Sequence, residues 1–478
     1  MKKNKYLKAD TNSSKNFNAA NFSAHNLLLI AYVIAGLFFL NSCSKNEDLV
    51  YKEVPKLNTV SADVALQWAD MSLYTIRFSS YNTPTYASRS LGYLGLAMYE
   101  SVVQGDSAHR SMNGQLNGLM IPLPEAGKPY QWLLCLNAAE LTLLKLLYPV
   151  PANSHMYVHH LIDSVADKIY AEQKIGITEE TINRSVEFGN SVALAIYRWS
   201  VTDGGDAGYV RNFDPNYAFP TGLSYWVPPL NGQTVSLYPL HPTWGSNRTF
   251  VVSNAMIPVP AIMPFSSDTT SGYYKMYKAV YDKNIMLTHE EKEIAAWWGD
   301  DPTETFSPPG HSYYIATLAI KNSKAGIVKA AEAYARTGLA VADAFINCWK
   351  AKTTYFNERP SSYVKTFINK DWVQYWPEPP FPAFPSGHAT QGAATATVLT
   401  DMFGGALPFK DNCHEGRRDS RFYDLGYPAR SFNNFWEAAR ESAYSRFLGG
   451  IHTQQDNDAG LKEGEIVGQN VNALHWLK

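Results

Sequence analysis

From about residue 60 onward, apolar residues return every three or four positions in one segment after another. VALQWADMSLYTIRF, YASRSLGYLGLAMYESVV, LNAAELTLLKLLY, VHHLIDSVADKIYAEQ, EETINRSVEFGNSVALAIYRWS and IVKAAEAYARTGLAVADAFINCWKA all carry this spacing. It is the period of an α-helix with one core-facing stripe, and strand-like alternation is scarce. The pattern breaks between Val201 and Pro264, where Gly, Pro, Asn and Trp are dense. Long ordered loops are expected there, joining a helical N-terminal half to a helical C-terminal half. The expected architecture is all-α, with one helical bundle and its long loops over residues 60–264 and a second over residues 265–478.

The first forty residues follow another pattern. Lys2, Lys3, Lys5, Lys8 and Lys15 precede a polar stretch, then an apolar run from Leu27 to Leu40 stops at NSCSKNED. The run is too short for a comfortable membrane span and has the layout of a signal peptide. LNSC at Leu40–Cys43 resembles a bacterial lipobox, which implies that residues 1–42 are removed and that Cys43 carries lipid, with residues 43–59 as a spacer. An uncleaved anchor around Leu27 is the alternative. The lipobox resemblance implies a protein lipid-anchored in the bacterial cell envelope, at the outer membrane or cell surface. Its lipid would be the only membrane contact, since no other stretch is apolar enough to span.

Composition narrows the partners. With 478 residues and 45% hydrophobic content the chain can bury a large core, and a formal net charge of −2 leaves no broad basic surface for nucleic acid. Removing residues 1–42 takes away five lysines and one aspartate, so 36 basic residues face 42 acidic ones, a balance of −6. An anion site therefore has to be assembled locally, for a small ligand. Cys135, Cys348 and Cys413 remain after Cys43, without C-x-x-C spacing, so neither a disulfide framework nor a zinc knuckle is expected. Cys413 and His414 are adjacent in DNCHEGRRDSR; neighbours on a chain point apart, and this stretch is read as a polar loop.

Three segments carry candidate chemistry. In KAKTTYFNERP, Lys352 and Arg359 are seven apart, which on one helix puts them within about 20° of the same face. Pro360 then places Arg359 at the helix end. In FPAFPSGHATQG, Ser386 suits a helix N-cap, Gly387 gives close backbone approach, and His388 falls in the first turn beside the positive end of the helix dipole. In YSRFLGGIHTQQDNDAG, Gly449 and Gly450 break the helix after Arg446 and redirect His452, which has Asp456 four residues on to hold one ring nitrogen as N–H. Singly, each segment reads equally as a solvated stripe, a capped helix or a local His–Asp pair. All three in this order are harder to dismiss.

K-x6-R-P, P-S-G-H and S-R-x5-H-x3-D together resemble the three-part signature of the type 2 phosphatidic acid phosphatase and vanadium haloperoxidase superfamily. Segments Trp68–Val103 and Trp297–His311 are similar to those of its soluble, two-bundle haloperoxidase branch, so the resemblance covers about residues 60–478. It implies that Lys352, Arg359, Arg446, Ser386 and Gly387 cradle a tetrahedral oxyanion, that His452 meets its central atom, oriented by Asp456, and that His388 is the acid/base. It further implies that Asp300 supports the pocket arginines, and that Trp349 and Phe381 line a halide site. With vanadate as cofactor, His452 is its one protein ligand, and Lys352 polarises hydrogen peroxide toward halide. With a phosphate ester as substrate and no cofactor, His452 instead becomes phosphorylated and His388 protonates the leaving oxygen. A non-catalytic oxyanion-binding lipoprotein is the third reading, against which the intact His388 and His452 argue.

Overall fold

The apolar stripes become helices packed about one of their own number. The computed structural model describes Val54, residues 56–422 and residues 424–478; the signal-peptide and Cys43 expectations lie outside the described residues. In chain order the helices are α1 (Asp63–Phe78), α2 (Pro84–Glu100), α3 (Trp132–Leu147), α4 (Met156–Gln173), α5 (Glu179–Ser200), α6 (Val252–Ala255), α7 (Gly272–Asn284), α8 (His289–Trp297), α9 (Ser307–Ser323), α10 (Ile327–Tyr355), α11 (Pro360–Phe367), α12 (Gly387–Phe403), α13 (Phe435–Leu448) and α14 (Gln454–Asn472). Between α12 and α13 two short antiparallel strands, β1 (Phe409–Asp411) and β2 (Arg430–Phe432), pair Phe409 with Phe432 and Asp411 with Arg430.

α10 is the axis. Its alanine-rich sequence is buried on nearly every side, as a helix must be when other helices surround it. α2 lies along one side of it so closely that a Cβ on Gly338 would sit 2.5 Å from the Leu91 carbonyl oxygen. On another side it meets α12, which packs in turn against α13 and α14. The stretch from Val201 to Pro264 holds short 3₁₀ turns and little other regular structure, as its composition predicts. It is nonetheless pinned: Trp226 is fully buried and its N–H donates to the Phe356 carbonyl, and Leu240 N–H donates to Pro380. These loops brace the C-terminal end of α10, where the candidate residues gather.

The contact of α12 with α14 depends on small residues. A Cβ at Gly464 would lie 2.0 Å from the Thr390 carbonyl oxygen. Gly464→Ala is therefore expected to force the two helices apart and to lower stability by about 1–3 kcal/mol, read from the urea midpoint at unchanged m-value.

Candidate active site

The site begins where α10 stops. Phe356 takes left-handed dihedrals (φ 48°) as the C-cap, so the chain leaves the helix three residues before Arg359. Arg359 is instead the N-cap residue of α11, with Pro360 at the first helical position. Lys352 and Arg359 thus stand on two different helices, not on one face of one helix as their spacing predicts. What brings them together is a proline-rich strap, residues 381–385. Lys352 Nζ donates to the carbonyls of Pro382 (2.8 Å), Ala383 (2.7 Å) and Pro385 (2.6 Å). Arg359 donates to Phe381 through Nε (3.0 Å) and Nη2 (2.8 Å), and to Ile451 through Nη1 (2.9 Å). An ammonium has three protons, and all three of Lys352's are committed to the strap. A direct contact of Lys352 with peroxide, which the resemblance implies, is not available in this arrangement.

The strap delivers the N-terminus of α12. Ser386 is its N-cap, fully buried, with its N–H donating to the Asp456 carbonyl at 2.9 Å. Gly387 opens the helix, and its N–H has no acceptor among the described residues. His388 follows, with a buried Nε2 that lacks any partner. Across from it, α13 ends at Leu448 and Gly450 (φ 75°) turns the chain. His452 then precedes Thr453, the N-cap of α14, whose capping box includes Asp456. One oxygen of Asp456 accepts both from Thr453 N–H (2.8 Å) and from His452 Nδ1 (3.1 Å). Arg359 Nη1 donates to His452 Nε2 at 3.0 Å. These partners fix the tautomer: Nδ1 carries the proton and Nε2 offers a lone pair.

A cavity of about 1140 Å³ opens in front of these groups, lined by Gly387, His388, Arg446 and His452, by Trp349 and Phe381, and by Asp300. Lys352, Arg359, Ser386 and Asp456 sit behind that surface. Trp349 and Phe381 pack together at 4.9 Å, and Phe381 lies 5.2 Å from both the Lys352 and the Arg359 charge. Arg446 spends Nε on Ser445 Oγ and Nη2 on the Ala295 carbonyl, each at 2.9 Å.

The electrostatics are lopsided. Lys352, Arg359 and Arg446 are all at most 1% exposed, and none forms an ion pair with a carboxylate among the described residues. Burial accordingly lowers the pKa of Lys352 to about 8 and those of both arginines to about 10. Burial, then Arg359, Lys352 and Arg446, holds His452 well below the ordinary histidine range. Burial and Arg446 do the same to His388. Both histidines are neutral bases in a field of buried positive charge, the electrostatics of an anion site lacking its anion. The site fits a tetrahedral oxyanion: free donors at Gly387 and Arg446, three cations in need of a counter-charge, and at His452 Nε2 a lone pair that Arg359 Nη1 occupies and would release to the anion.

Asp300 does not meet a pocket arginine, contrary to the role the resemblance implies. Its carboxylate accepts from His311 Nδ1 (2.9 Å) and His414 Nε2 (2.7 Å), and Arg446 has gone to main-chain and hydroxyl oxygens instead. The acidic neighbour Asp301 takes the ionic role nearby, with Arg421 Nη1 at 2.6 Å. The stretch around Cys413 and His414 is a loop, as its composition predicts, but the two neighbours do not point apart: both converge on His311, with Cys413 Sγ 3.4 Å from His311 Nε2. Sequence reasoning gave His311 no role. The signal available was a histidine placed directly after Pro-Pro-Gly, at the start of a helix.

The chain belongs to the vanadium haloperoxidase family. It superposes with a TM-score of 0.73 on a crystal structure described as the first bacterial vanadium-dependent iodoperoxidase, at 30% identity over 89% of this chain and 99% of that one. Residues 365–475 match the family described as the VCPO second helical-bundle domain. A bacterial vanadium-dependent chloroperoxidase in its apo form shares the fold at a TM-score of 0.60 and 16% identity, covering 88% of this chain and 97% of that one. Vanadium chloroperoxidase of Curvularia inaequalis is 28% identical over 213 residues, 34% of this chain; the match spans about a third (35%) of that relative's length.

Sulfate keeps its charge between pH 6 and 10, so it isolates the protein's own titration. Its affinity is expected to fall as pH rises through about 8, where Lys352 loses its proton. At 100 times its dissociation constant it should add about 2.7 kcal/mol of stability, an effect lost in Arg446→Ala. Thermal melts at pH 7 and 9 with and without sulfate check both; equal stabilisation at the two pH values would refute the role given to Lys352.

Proposed function

We propose that the protein is a vanadate-dependent haloperoxidase that oxidises halide with hydrogen peroxide to a hypohalous species. The observation that carries this reading is the pairing of three buried, carboxylate-free cations with a histidine whose Nε2 lone pair is fixed by its partners. Vanadate would be held by His452 Nε2, once Arg359 Nη1 turns from that atom to the anion, and by hydrogen bonds from Arg446 and the Gly387 N–H, and would supply a Lewis-acidic centre for peroxide activation. Asp456 keeps the proton on Nδ1, so Nε2 stays directed outward from the ring as a donor. His388, neutral and facing the cavity, accepts a proton from incoming peroxide and returns it to the departing oxygen. Lys352 contributes charge from behind the strap, while Trp349 and Phe381 give the halide an aromatic wall. Iodide is the halide to assay first, being the one named for the relative of closely matching length.

The same constellation would hydrolyse a phosphate ester through His452, so the wild-type assay has two arms: iodide, bromide and chloride oxidation with vanadate and peroxide, and ester hydrolysis without vanadate. Halide oxidation is expected. Vanadate that only inhibits hydrolysis would hand the function to the phosphatase reading. His452→Ala should abolish vanadate binding in calorimetry. His388→Ala should keep binding but lower turnover by about 10²- to 10⁴-fold.

We also propose that the mature chain begins at lipidated Cys43 and is tethered to the cell envelope. The basic start, the apolar run and LNSC support this. Cys43→Ala should accumulate full-length precursor and abolish incorporation of labelled palmitate; unchanged processing would refute the anchor.

A further inference from the structure

Behind Asp300 lies a cluster that anion binding leaves unused. Asp300 lines the cavity with its main chain in the left-handed region, φ 50°, which aspartate enters more readily than most residues. His414 Nε2 holds one carboxylate oxygen and His311 Nδ1 the other. The second nitrogen of His311 faces another buried carboxylate, Asp411 Oδ2, at 2.7 Å. An ionised carboxylate only accepts hydrogen bonds, so both nitrogens of His311 carry protons and the ring is an imidazolium. Trp298 stacks flat over it, centroids 4.6 Å apart and planes at 18°, and Trp298 Nε1 is anchored on Glu441 of α13 at 3.0 Å.

The segment so fixed, residues 295–301, reaches the active site at three points. The Ala295 carbonyl holds Arg446, the Trp298 main chain meets His388, and Asp300 faces the cavity. We propose that His311 is a positioning residue of the active site: an imidazolium clamped between Asp300 and Asp411 that fixes residues 295–301, and through them sets the orientation of His388 and Arg446 and the negative charge they face. The clamp rests on the active-site reading above.

His311 from α9 and His414 from the β1–β2 loop hydrogen-bond Asp300, Arg446 from α13 and His388 from α12 feel its charge without contact, and Asp411 and Cys413 lie on the far side of His311. Burial alone would raise the Asp300 pKa, but the charge of His311 and the hydrogen bonds from His311 and His414 hold it well below the carboxylate range. With His311 removed, burial dominates, and Asp300 takes up a proton as pH falls into mild acid.

His311→Gln is therefore expected to lower kcat by up to about 100-fold, the cost of misplacing active-site groups by about 1 Å, with little change in KM for peroxide, and to add an acid limb absent from the wild type. Asp411→Asn keeps an acceptor before Nε2 and should stay near wild type, whereas Asp411→Leu should follow His311→Gln. Independently of activity, ¹⁵N-histidine NMR of the vanadate-free wild type should show one ring protonated on both nitrogens well above the ordinary value of about 6.5. A His311 ring that titrates ordinarily, or a His311→Gln loss equal at every pH, overturns the clamp. So does stoichiometric zinc lost in Cys413→Ser, because His311, Cys413 and His414, whose donor atoms lie within 4.8 Å of one another, would then be ligands. If the wild type oxidises no halide, the functional reading falls while the ring signature still decides the clamp.

Discussion

The grip of two buried cations on a run of carbonyl oxygens holds the rest of the site in place. Proline has no N–H, so the strap through Pro382 and Pro385 is rich in acceptors and poor in donors. Lys352 and Arg359 meet that shortage from two helices, and the α12 N-terminus is placed as a result. Because neither cation has a carboxylate partner, their charge is dispersed over peptide dipoles instead of being cancelled. The field therefore extends past the strap to His452, where it adds to burial in keeping that ring neutral; burial and Arg446 do the same for His388.

Three histidines within one region take three electrostatic settings. His452 has a carboxylate on one nitrogen and a guanidinium on the other, which leaves it neutral with a defined lone pair. His388 has burial and a nearby arginine, and one nitrogen without any partner. His311 has a carboxylate on each side and is a cation. Residue type decides none of this; the neighbours supplied by separate helices do.

That is also why the sequence revealed some things and concealed others. Helical periodicity made the architecture readable, and Ser386, Gly387 and the Gly449–Gly450 break stood out because caps and breaks are local properties of the chain. The left-handed Phe356, which ends α10 early, was invisible, since nothing about phenylalanine favours positive φ; it is imposed by the packing of loops such as the one that lays Trp226 N–H on its carbonyl. The partner of Asp300 was equally hidden. His311 lies 11 positions away and Asp411 a further 100, and side-chain pairing over such distances is settled by how helices and loops dock, not by spacing.

The chemical make-up of the cavity wall bears on how long such a catalyst survives its own product. A hypohalous species attacks thiols and thioethers first. Among the described residues the lining, with its aromatic, proline, carboxylate and arginine side chains, contains neither methionine nor cysteine. The nearest thiol to α12, Cys348, is fully buried, and burial raises its pKa to about 12, so it carries almost no reactive thiolate. Trp349, the most oxidisable ring on the wall, has its Nε1 tied to the Leu240 carbonyl at 3.1 Å. The pocket is in this sense a corrosion-resistant vessel: the thiol nearest its floor stands behind side chains that carry no sulfur.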